Sequence, residues 1–167
     1  MVTLDVLAPL VRWLAATPMS TAIGNAAWVT PTVQCAHILA IAAVMACMMM
    51  MNLRLLGAFG REEGVASFTR RYGTWVWPAL LVLLLSGSVL IVGEPRRSLE
   101  NKIFLTKMAL VATASVLTLA LQWPLARDAA FWDRGARQRV AQAIALISIL
   151  VWVAIVFAGR WIAYTQE

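Results

Sequence analysis

Four apolar runs, near residues 32–54, 74–93, 103–125 and 140–164, are each long enough to cross about 30 Å of hydrocarbon as a helix. They occupy most of a chain of 167 residues, of which 62% are hydrophobic and only 13% charged, with a mean hydropathy of +0.79. That balance excludes a soluble domain. The fold expected is all-α, an integral membrane four-helix bundle of up-and-down order, forming a single membrane domain over residues 1–167. No repeat, low-complexity tract or second domain is visible.

Residues 1–30 form an N-terminal segment of a different kind. In "LDVLAPLVRWLAA" the residues Leu4, Leu7, Val11 and Leu14 recur at helical spacing with Asp5 and Arg12 among them, so a short amphipathic interfacial helix is expected. Pro18, Gly24 and Pro31 break the chain before the first span, and "SFTRRYG" closes the first connection. The opening lacks the basic start of a secretory signal, so residue 1 is expected to stay in the mature protein. Cys35 and Cys47 stand twelve residues apart on one helix, roughly 18 Å, too far for an intrachain disulfide.

The net charge of +6 does not point to nucleic acid, because the basic residues sit in short connections between apolar runs, where positive charge sets topology. The connections between spans one and two and between spans three and four hold Arg54, Arg61, Arg70, Arg71, Arg127, Arg134, Arg137 and Arg139. The other side holds Arg12, Arg96, Arg97, Lys102, Lys107 and Arg160. Positive charge favours the inner side, so both termini are expected outside, which in a bacterial inner membrane means the periplasm. Trp28, Trp75, Trp77, Trp123, Trp132 and Trp161 lie near span ends, where indoles prefer the interface.

Counting inward from the outer span ends puts one polar residue or glycine from each helix in a common layer. His37, Gly87, Lys107 and Arg160 are each about five or six residues in, roughly 8 to 9 Å deep before any tilt. Taken singly, the histidine can be a packed ring making one interhelical hydrogen bond, the cations can snorkel, and "SGS" around Gly87 can let two backbones approach. Together they suit a buried anionic group with a flat body. A neutral imidazole binds iron, two cations pair with propionates, and a glycine lets a macrocycle pass close to a helix, which are the requirements of a b-type haem. Spans without Asp or Glu offer those cations no intramembrane counter-ion; Glu94 and Glu100 in the outer loop are the nearest. With a single histidine the iron is five-coordinate, takes Met108 as sixth ligand, or lies near a subunit interface.

The run "MACMMMM" raises a second possibility. Met45, Met48 and Met49 form an i, i+3, i+4 set of thioethers suited to Cu(I). Four consecutive methionines point all round a helix, however, and the run reads equally as adaptable apolar packing. Met48 is also about 16 Å along the helix from His37, so the two cannot share a coordination shell. CxxC, HxxxH, phosphate-loop and nucleophile-elbow motifs are absent, and no catalytic residue is assigned. "NLRLLG" puts Asn52 where it can close a helix end and Arg54 where it can meet headgroups, and "EPRRSLENK" is a charged outer turn.

"AHILAIA", "NLRLLGAFG", "LLSGSVL", "NKIFLTKMALV" and "FAGRWIAY", spread over all four spans, resemble an uncharacterised family of bacterial four-helix membrane proteins. In that family's pattern Asp usually stands where this chain has Asn52. The resemblance implies the fold and points to His37, Lys107 and Arg160, but implies no activity.

Three functions are therefore expected in order. The first is a membrane b-type haem protein for electron transfer, haem handling or small-ligand sensing, homo-oligomeric, with an unidentified redox partner or quinone. The second is a copper-handling protein, and the third an accessory or scaffold subunit. Membrane lipids are the one partner common to all three.

Overall fold

A computed structural model describes residues 2–133 and 135–161, and the side chains from Ala8 onward. The described residues form α1 (Val2–Ala15), α2 (Pro18–Asn25), α3 (Val29–Leu55), α4 (Val65–Gly93), α5 (Pro95–Leu99), α6 (Lys102–Arg127), a short 3-10 turn (Phe131–Asp133) and α7 (Gly135–Trp161). Four of these helices, α3, α4, α6 and α7, are long and apolar enough to span a membrane. The all-α, four-span architecture is thus as the sequence implies, with every neighbouring pair antiparallel.

The spans differ from their hydropathic limits where a helix continues past the apolar run. Residues 67–73, expected to close the first connection, lie in the first turns of α4, which starts at Val65. A helix entering the interface needs only one apolar stripe, and Val65, Phe68 and Tyr72 provide it at i, i+3 and i+7. Phe68 is 3% exposed and its ring centroid stands 4.7 Å from that of Tyr72. Arg70 and Arg71 then face outward, Arg71 pairing with Glu63 at 2.7 Å. At the far end of α7, residues 162–164 lie outside the described residues, as does Arg134.

"NLRLLG" closes α3 through its glycine. Gly57 has φ +73°, its N–H bonds the carbonyl of Arg54 (3.0 Å), and the Ala58 N–H bonds that of Leu53 (2.9 Å), the paired bonds of a Schellman end. Asn52, expected to close the helix, is buried instead, and its amide donates to Ser148 Oγ of α7 at 3.1 Å. Arg54, expected among headgroups, donates through Nε to the Glu63 carbonyl at 2.8 Å and ties the α3–α4 loop down. Asn101 caps α6, its side-chain oxygen accepting from the N–H groups of Ile103 (2.9 Å) and Phe104 (3.3 Å).

Packing runs α4 against α3, α3 against α7, and α7 against α6, while α4 barely touches α6. The bundle is therefore closed on three sides and has a loose α4/α6 seam. Mid-bundle, Val44, Met48 and Met51 of α3 meet Val76, Ala114, Trp152 and Ile155. Nearer the arginine-rich end, Leu55, Val65, Leu121, Trp132, Ala141 and Ala145 form a second cluster. Trp132, placed by its sequence position in an interfacial belt, is only 7% exposed and donates to the Leu121 carbonyl at 2.9 Å. At the opposite end α1 packs on α5, with Val11 fully buried, and Ile23 of α2 abuts Gly93 at the close of α4. The N-terminal segment is thus seated on protein as well as amphipathic.

Candidate functional site

His37 is half-buried on α3, one turn before Ala40 and two before Val44, the buried positions that fix this face of the helix toward α4. Its Nδ1 lies 2.7 Å from Ser86 Oγ on α4. The Ser86 hydroxyl donates to the Val82 carbonyl, one turn back, at 2.6 Å. A hydroxyl has one proton, so Ser86 accepts from the imidazole, and the proton of the neutral ring sits on Nδ1. Nε2 is left with its lone pair, the tautomer and orientation in which histidine serves as a metal ligand.

Gly87 stands beside this ring: a Cβ at position 87 would lie 3.5 Å from His37 Cε1. The sequence assigns Gly87 to a passing macrocycle, but the space over this glycine is taken by the imidazole, because α3 and α4 are the most closely packed pair in the bundle. Lys107 of α6 is half-buried, with Nζ 3.6 Å from the position of a Cβ on Gly159 of α7. It makes no salt bridge among the described residues, whose ion pairs include Arg71–Glu63 and Arg97–Glu94. His37 with Ser86 and Gly87 thus forms one contact set across α3 and α4, and Lys107 with Gly159 another across α6 and α7.

Arg160 is exposed on α7 and has an interaction of its own. Met108 is 40% exposed, roughly 100° round α6 from Lys107. Met48 is 1% exposed with its sulfur 3.8 Å from Thr118 Oγ1, and Met45 packs on the same core cluster, while Met49 is half-buried. Met45, Met48 and Met51 therefore serve the core. Ser86 and Gly159 are the residues that sequence reasoning missed; the only signal for either was a small residue beside a nominated one, in "SGS" and "AGR".

Among the described residues no group of three or more His, Cys, Asp or Glu side chains is placed to hold a metal ion. A group that brings most of its own ligands needs no such cluster. Comparison with curated proteins and with solved structures gives no match. The model of a family of unknown function, DUF6644, matches residues 13–165, and the chain belongs to that family.

Proposed function

We propose that this is a membrane-embedded b-type haem protein, with His37 Nε2 as axial ligand and Lys107 pairing with a propionate. The observation that carries the reading is the Nδ1–H···Ser86 hydrogen bond, whose own acceptor is fixed by the Ser86–Val82 bond. A packed histidine would also make one such bond; what this bond adds is that the nitrogen left with a lone pair is Nε2. Lys107 supplies the charge that an acidic cofactor requires and that the spans do not otherwise balance. Haem brings four nitrogens to its iron, so one imidazole suffices where a bare ion would need three or four protein ligands.

Arg160 of α7 would be the second propionate partner, and Gly87, covered by the imidazole, would not border the macrocycle. A haem held by this one histidine would supply small-ligand sensing or haem handling rather than fast electron transfer. The site lies at the end of the bundle away from the arginine-rich connections, the periplasmic side of an inner membrane by the positive-inside rule.

Protein purified from haem-replete membranes is expected to show a Soret band and a redox-sensitive α-band, both lost in His37→Ala. A colourless preparation, with His37→Ala equally stable, would overturn the proposal.

A further inference from the structure

We infer that the loose seam between α4 and α6 holds, at its arginine-rich end, a binding site for the phosphate headgroup of an anionic phospholipid. A groove of about 240 Å³ opens there, with Thr69, Arg70, Gly73, Trp77 and Gln122 in its lining. It is far from His37: Gly73 and Gly87 are fourteen residues apart on α4, roughly 21 Å of helical rise. The inference does not rest on the haem reading.

Two of these residues have unmet hydrogen-bonding capacity. Thr69 is 5% exposed, and among the described residues neither its hydroxyl nor the buried Nε2 of Gln122 has a hydrogen-bond partner. The orientation of the Gln122 amide is fixed, because Trp77 Nε1–H, which can only donate, lies 3.1 Å from its Oε1. The amide NH2 is thereby turned away from Trp77, and it lies 3.3 Å from where a Cβ on Gly73 would stand. An N–H donor and a hydroxyl left unpaired in a lipid-facing seam call for an acceptor from outside the chain.

Charge and depth decide what that acceptor is. Arg70 is exposed at the mouth and in no salt bridge among the described residues, whereas its neighbour Arg71 is paired with Glu63. A cation above two donors fits phosphate oxygens. Trp77 and Trp123, 43% and 61% exposed, mark the membrane interface at this level, and Arg127 lies over the Trp123 ring at 5.2 Å. A headgroup at this depth leaves its acyl chains to run along the open seam toward mid-bundle.

The full chain in mild detergent is titrated with phosphatidylglycerol, phosphatidylcholine, inorganic phosphate and a short-chain benzoquinone, and retention is read by native mass spectrometry. Phosphatidylglycerol is expected to be retained over phosphatidylcholine, and to bind about tenfold more weakly in Gln122→Leu and in Arg70→Gln, the loss of one charge-assisted contact each. Arg70 is a surface residue, so its variant reads binding without disturbing the fold. Equal retention of the two lipids, or retention unchanged in both variants, overturns the site. Inorganic phosphate binding as tightly as phosphatidylglycerol assigns the groove to a free anion, and displacement by the quinone assigns it to a carbonyl ligand; either result overturns the lipid assignment.

Discussion

Ser86 decides what His37 can do. A serine in a membrane helix bonds back to its own carbonyls as a matter of course, and here that habit converts it into an obligate acceptor for the imidazole. Ser86→Ala leaves the ring free to turn or to change tautomer. Haem affinity, measured by transfer to apomyoglobin, is expected to fall about 10- to 100-fold while the Soret band persists at saturating haem. Gly87 offers a second test: Gly87→Ala adds a methyl at ordinary contact distance, 3.5 Å from Cε1, and leaves the spectrum unchanged, whereas Gly87→Leu evicts the imidazole and abolishes it. The sequence made His37 and Lys107 legible because each is chemically foreign to its span. It could not expose Ser86 or Gly159, whose parts depend on which helix lies opposite.

Among the elements, the connection after α3 shows how local signals and tertiary contacts divide the work. Gly57 ends the helix by a rule visible in "LRLLG", but Gly60 is required twice over. Its φ is +65°, and a Cβ there would stand 2.6 Å from Phe68 Cε2 on α4. Gly135 at the start of α7 has φ +45° with open space around it. Gly135→Ala is therefore expected to cost about 1 kcal/mol of conformational strain, and Gly60→Ala about 1–3 kcal/mol, with the larger loss of thermal stability in detergent. Equal midpoints for the two variants would show that the Phe68 ring gives way. Hydropathy missed the first nine residues of α4 because Arg70 and Arg71 interrupt an apolar count, although they do not interrupt a helical stripe. It missed α2 and α5 because helices of eight and five residues are too short to show a period.

At the scale of the whole molecule, the four spans and their order follow from length and apolarity alone, and the open α4/α6 seam does not. Orientation rests on the charges that the ends of the bundle display. The structure sharpens that argument by removing Lys107 from the count, since its ammonium lies against Gly159 within the bundle and is not a loop charge. Eight basic residues of the α3–α4 and α6–α7 ends then face five at the other, Arg12, Arg96, Arg97, Lys102 and Arg160. Moving a loop across a bilayer becomes costlier with each arginine it carries, so the α3–α4 connection is expected to stay in the cytoplasm. With Cys35 and Cys47 replaced by serine, a reporter at Glu62→Cys in that connection should react with a membrane-impermeant maleimide only after spheroplasts are permeabilised. One at Ser98→Cys on α5 should react in intact spheroplasts. The reversed pattern would place the His37 layer at the cytoplasmic face, and with it any ligand that the layer binds.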